Sequence, residues 1–168
     1  MKNNESRADA AATGSTRQVL TFSLGREVYG VDILRVKEIR GWSPVTRIPQ
    51  SPRAVLGVLN LRGAIVPIID LRLRFALEQA EFTAVTVIIV LSLRTEQGVR
   101  ECGVVVDSVK DVVDIAPESI RPAPSLNAGN ASEFIEGITS SEEQMLILLN
   151  ADDLVSRELS PAFADRAA

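Results

Sequence analysis

Catalysis near neutral pH most often begins with a histidine, and this chain of 168 residues contains none. Cys–His and Ser–His–Asp nucleophiles are therefore excluded, as is any metal site that needs two imidazoles. The single Cys102 stands at the head of the apolar segment "CGVVVD" with nothing nearby to lower its pKa, so it reads as a small buried hydrophobe. Asp107, Asp111 and Asp114 follow a helical spacing, but Lys110 stands among them and no Gly-turned calcium loop accompanies them; they read as a solvated face. Neither GxGxxG nor GxxxxGK[ST] occurs, so no phosphate cradle is visible. No catalytic residue, metal or cofactor is assigned.

Binding chemistry is better represented. In "LNLRGAIVPIIDLR", residues 59–72, Arg62 is flanked by Asn60 and Gly63, residue types that supply the positive-φ positions of a tight hairpin turn. An Arg held out at such a tip can form a bidentate contact with a carboxylate on a partner, or a surface ion pair within its own chain. Glu38, beside Val36 and Ile39, reads either as the charged rim of an interface or as a solvated helix face. Trp42, the only Trp, suits an interface anchor or packing against the end of the fold.

These residues must be positioned by β-structure. "VLTFSL" (19–24) alternates as a half-buried strand does, and "EVYGVDI" resumes after a turn at Gly25. "DILRVKEI" (32–39) shifts to a helical period behind Asp32 as N-cap. Two strands follow around Asn60–Gly63. Pro67 cannot donate to a ladder, which predicts an edge or bulged strand. "VTVIIVLSL" (85–93) is apolar on both faces, as a strand buried on both sides should be. "CGVVVD", "EFIEGIT" and "MLILLN" add strands, and "ADDLVSREL" a short helix.

The chain also repeats itself. Residues 29–49 laid over 102–122 give six identities in 21 positions, among them Gly30/Gly103, Lys37/Lys110, Pro44/Pro117 and Pro49/Pro122. With a shift of 80, Gly57 meets Gly137 and "IVPIID" meets "MLILLN". A unit of roughly 65 residues is marginal as an isolated barrel, so two should pack together and leave a cleft along the joint. Apolar residues are 46% and charged residues 24%, which suits a globular chain. A net charge of −4 with the signs interspersed leaves no footprint for nucleic acid. No secretory h-region and no membrane-length apolar run is present, and one cysteine suits a reducing compartment; the expected location is cytoplasmic, without membrane insertion.

"FSLGREVYGVDILRVKEIRG", "VTRIP" and "VLGVLNLRGAIVPIIDLRLRF", followed in order by "TVIIVLSL", "GVVVDSVKDVVDI", "ESIRPAP" and "MLILLN", closely resemble the CheW family of chemotaxis coupling proteins over about residues 17–155. "NLRG" followed by "xxxPxxDLR" is the most distinctive part. The resemblance implies an all-β fold of two packed five-stranded SH3-like barrels with short helices. The corresponding division is a tail at 1–16, a first barrel at 17–82, a second at 83–158 and a tail at 159–168. It also implies a non-catalytic scaffold that couples chemoreceptor hairpin tips to the regulatory domain of the histidine kinase CheA, within membrane-bound arrays that include rings with other copies of itself. Carried onto this chain, the receptor-binding residues are Val36, Glu38, Ile39, Arg62 and Val87, with Asn60 and Gly63 supporting the turn. Val45 and Ile48 are the expected kinase contacts. The competing expectation is a small β-barrel enzyme or ligand-binding protein using the groove between the barrels.

Overall fold

A computed structural model describes residues 16–77, 81–123 and 134–154. Ten strands account for most of them: β1 (Arg17–Leu24), β2 (Glu27–Asp32), β3 (Val36–Gly41), β4 (Val55–Leu61), β5 (Ala64–Asp70), β6 (Val87–Thr95), β7 (Gly98–Val106), β8 (Ser108–Ile115), β9 (Ile135–Ser141) and β10 (Gln144–Leu149). One helical turn, α1 (Leu71–Arg74), follows β5, and another spans 151–154. The remainder of the expected C-terminal helix and both expected tails, apart from Thr16, lie outside the described residues.

The strands form two five-stranded sheets, in the orders β8-β1-β2-β10-β9 and β3-β6-β7-β5-β4. Replacing β1–β5 by β6–β10, and the reverse, turns one order into the other. The repeat therefore extends to topology. Each sheet takes its first two strands from one repeat and three from the other, joined through the parallel pairs β2–β10 and β5–β7 and the antiparallel pairs β1–β8 and β3–β6. A division into barrels at residue 82 does not describe this arrangement, because β3–β5 lie in the sheet of β6 and β7, and β8–β10 in that of β1 and β2.

The side-chain period explains the exchange. Leu20, Phe22 and Leu24 alternate on β1, and they are buried in one cluster with Ile89, Leu91 and Leu93 of β6 and Cys102, Val104 and Val106 of β7. This layer lies between the sheets. The opposite faces fill the two barrel interiors, Val19, Val28, Leu146 and Leu148 in one, and Leu61, Ile68, Ile88, Val90 and Val105 in the other. β6 is thus buried on both faces, as its unbroken apolar run requires.

Several details depart from expectation. The helical period after Asp32 is realised only as a 3-10 turn over Ile33–Arg35, with the Asp32 side chain accepting from Leu34 N; Glu38 lies on strand β3. Asp111 and Asp114 likewise lie on strand β8. β5 is an interior strand. Pro67 is tolerated there because its partner Val58 directs both backbone groups to Thr46, and the ladder to β7 begins only at Ile68.

One buried charge cluster joins the barrels. Arg72 and Asp70 are 1% and 0% exposed, and the guanidinium donates from Nε and Nη2 to the two carboxylate oxygens, each at 2.9 Å. The Arg72 amide is also bonded to Asp70 Oδ1, which caps α1. Arg72 Nη1 reaches Asp107 Oδ1 at 3.3 Å and the Glu81 carbonyl. Asp107 Oδ2 in turn accepts from Gly25 N in the β1–β2 turn at 2.8 Å. Burial acts to lower the Arg72 pKa, but the hydrogen bonds and charges of Asp70 and Asp107 outweigh it and leave it raised. The opposite corner holds a pair of reversed sign: Arg35, after β2, bonds Asp152, after β10, at 2.7 Å, and Asp152 also accepts from Arg94 N.

Two substitutions test this account. Arg72→Met leaves Asp70 buried without its cation and is expected to cost about 3–5 kcal/mol by urea denaturation; adding Asp70→Asn, which keeps the cap acceptor, should recover part of that loss. At Gly57, with φ of +153°, an added Cβ would lie 2.1 Å from the Thr46 carbonyl oxygen. Gly57→Ala should therefore destabilise by about 2 kcal/mol or more, read as a lowered urea midpoint, whereas Gly41→Ala, with nothing within 4 Å, should cost little.

Candidate functional site

β3 is an edge strand of the second sheet, and it carries three of the expected receptor residues. Val36 pairs with Leu91, Glu38 with Val90, and Ile39 with Ile89, which leaves Lys37 as an unpaired bulge. The bulge sets the faces. Val36 and Ile39 share the face of Leu91 and Ile89 toward the inter-sheet layer, and Val87, opposite Gly41, joins them. Val36 and Val87 are half-buried against that layer, while Ile39 remains 43% exposed. Glu38 and Arg40 take the other face. Among the described residues, Arg40 Nε is buried with no hydrogen-bond partner.

The β4–β5 turn brings Arg62 to Glu38. Leu61 pairs with Ala64, so Arg62 and Gly63 are the two loop residues, at φ of 53° and 85°. The positive-φ positions are thus Arg62 and Gly63; Asn60 contributes differently, its Oδ1 accepting from Gly63 N at 2.9 Å. Arg62 Nη2 lies 3.1 Å from Glu38 Oε1, with the Arg62 side chain 76% exposed. A pair this open contributes roughly 0–1 kcal/mol to folding, so a partner can displace it at little cost. Holding Arg62 in a left-handed conformation costs about 1–2 kcal/mol, which the two-residue turn imposes.

The expected site residues therefore form two adjoining groups: an apolar strip of Val36, Ile39 and Val87, and the Glu38–Arg62 pair on the opposite face of the same edge. Val45 and Ile48 lie apart, in the loop between β3 and β4. Val45 packs against the interior of the second barrel, and Ile48 is 40% exposed, its carbonyl accepting from Ser51 Oγ at 3.0 Å. Sequence reasoning missed Ile65, which is 49% exposed three residues past Arg62. Ala64 and Ile65 are the exposed head of β5, ahead of the buried run from Val66 to Asp70, a change that the uniformly apolar "IVPIID" does not display.

Trp42 stacks on Phe82 at 4.0 Å and packs against the second barrel's interior, which makes it a closing residue of that barrel. Cys102 is fully buried, and burial pushes its thiol well above the ordinary range. A cleft of about 620 Å³ lies beside Arg72, Asp107, Gly25 and Thr83. Arg72 and Asp107 are already committed there to each other, to Asp70 and to the Gly25 amide. Among the described residues no group of three His, Cys, Asp or Glu side chains is arranged to hold a metal, and no helix is long and apolar enough to cross a membrane.

Comparison with known proteins agrees with this architecture. The family model for the CheW-like domain matches residues 18–159. The chemotaxis protein CheW of Klebsiella aerogenes is 47% identical over 142 residues, covering 84% of this chain and 83% of that protein. The CheW of Bacillus subtilis is 32% identical, covering 85% and 89%. The crystal structure of the scaffolding protein TtCheW from Thermoanaerobacter tengcongensis aligns with a TM-score of 0.75 at 32% identity, covering 83% of this chain and 92% of that one. With its pair of interlocked five-stranded sheets and a match across nearly the whole described length, the chain belongs to the CheW family of chemotaxis scaffold proteins.

Proposed function

We propose that this protein is a non-catalytic coupler that binds the cytoplasmic hairpin tips of chemoreceptors and the regulatory domain of the kinase CheA, which brings it to membrane-bound arrays. The observation that supports this most is the β3 edge, where the exposed Ile39 and the open Glu38–Arg62 pair lie on the two faces of one edge strand. A helical hairpin can bury an aliphatic anchor against Val36, Ile39 and Val87 while its charges exchange with those of Glu38 and Arg62. In this reading Val45 and Ile48 form the kinase contact, on a loop that the Thr46–Val58 bridge holds to β4.

Coupling then operates as a population shift. A receptor whose two states differ in affinity for this edge changes the kinase's active fraction by that difference and no more. Individual contacts can be weak, because an array, including rings containing further copies of this chain, multiplies valency and raises effective concentration.

Co-sedimentation with receptor-containing membranes and CheA tests the reading. Wild type should pellet and raise kinase activity, and Arg62→Glu should do neither while unfolding at the wild-type urea midpoint. The charge swap Glu38→Arg/Arg62→Glu separates two roles. If the pair serves only this chain's own stability, the swap restores coupling; if Arg62 meets a partner carboxylate, the swap stays uncoupled. Wild type remaining in the supernatant at micromolar concentration would contradict the reading.

A further inference from the structure

The frame that presents Glu38 and Arg62 occurs a second time, in the other barrel. β8 pairs with β1 through Val109↔Phe22 and Asp111↔Thr21, leaving Lys110 as an unpaired bulge, as Lys37 is on β3. Thr21 Oγ1 pins this bulge, donating to the Asp111 carbonyl and accepting from the Asp111 amide, both at 3.0 Å. The β9–β10 turn matches the β4–β5 turn residue for residue. Ser141 pairs with Gln144, and the loop residues Glu142 and Glu143 have φ of 51° and 66°. In the repeat, Asp111 thus stands where Glu38 does, Glu142 where Arg62 does, and Met145 where Ile65 does.

What the frame presents differs. Met145 is 57% exposed, against 49% for Ile65, so an exposed aliphatic is kept. The cation is replaced. Among the described residues no ion pair joins Asp111, Glu142 or Glu143 to a basic side chain. Between the bulge and the turn lies a cleft of about 290 Å³, lined by Asp111, Glu142, Met145, Lys110, Val113 and Leu146. Val113 and Leu146 in the lining, one exposed Met and a rim with two acids against one lysine select a ligand with an aliphatic side chain between positive charges.

We propose that this cleft is a second protein-docking surface, which takes a basic partner segment: an aliphatic side chain enters beside Met145 while Lys or Arg flanking it meets Asp111 and Glu142. The proposal rests on the repeated frame and its cleft, and it stands independently of what the Glu38–Arg62 surface binds.

The test is an NMR titration of the full chain with a synthetic amphipathic peptide whose Leu ridge is flanked by Arg. The expected result is saturable binding, with amide shifts confined to β8 and the β9–β10 turn. Met145→Glu is the discriminating variant: it removes the apolar anchor while adding negative charge. It should weaken binding about fivefold or more, a loss typical of a contributing interface anchor, and Glu142→Lys should do the same. Arg62→Glu, in the other barrel, should leave the affinity unchanged. Tighter binding by Met145→Glu would mean generic charge attraction and would overturn the proposal, as would shifts elsewhere on the chain or no saturation.

Discussion

Burying Leu20, Phe22 and Leu24 against Ile89, Leu91 and Leu93 demands that both sheets be complete, since these residues form one layer between them. Each sheet is completed by three strands from the other repeat. The shared layer and the strand exchange are therefore one constraint: neither barrel can form from contiguous chain, and neither can leave the other. A unit of about 65 residues, too small to bury enough surface alone, gains its stability this way. The Asp70–Arg72–Asp107 cluster adds geometric definition at one end of the joint. Its net worth over apolar residues of the same size is small, but its hydrogen bonds have a single satisfactory arrangement, with the Gly25 turn seated on Asp107.

That rigidity serves the edge. β3 and the β4–β5 turn come from the first half of the chain but are held in the sheet of β6 and β7. Glu38 and Arg62 thus meet across a frame set by long-range pairing, while their own contact contributes little to folding. A scaffold profits from this separation. The fold is secured by buried layers, and the exposed contacts remain free to be exchanged for those of a partner.

Much of this was legible in the sequence, and the failures have local causes. The strands other than β3 and β8, the Asn60–Gly63 turn, the burial of Cys102 and the internal repeat follow from alternation, turn chemistry and self-comparison. The interleaving does not, because it depends on the pairs β2–β10, β5–β7, β1–β8 and β3–β6 between segments far apart in sequence, which no periodicity encodes. Glu38 and the Asp107–Asp111–Asp114 series showed helical spacing in the sequence, for different reasons. The bulge at Lys37 inserts a residue into the strand period, so Val36 and Ile39 share a face three apart; Asp111 and Asp114 both follow the bulge at Lys110 in unbroken register, and their three-residue spacing places them on opposite faces of β8. Asp70 and Arg72, within "DLR", drew no assignment from the sequence, because the strand-to-helix corner that turns both inward leaves no periodic signal. Of the candidate site, the turn and the apolar neighbours were visible; an ion pair of Arg62 within its own chain was one of two open alternatives, with Glu38 not named as the partner, and Ile65 was not seen.

The most direct test of the central claim, that the β3 edge is the receptor-facing surface, uses the inertness of Cys102. Because that thiol is fully buried, a cysteine introduced at an exposed position is the only one available to a thiol reagent. Labelling rates would be compared for Ile39→Cys and Met145→Cys, each with and without receptor-containing membranes. The account predicts that receptors slow labelling at position 39 and leave position 145 unchanged. Equal rates at position 39 with and without receptors, under conditions where the protein pellets, would place the contact elsewhere and contradict it.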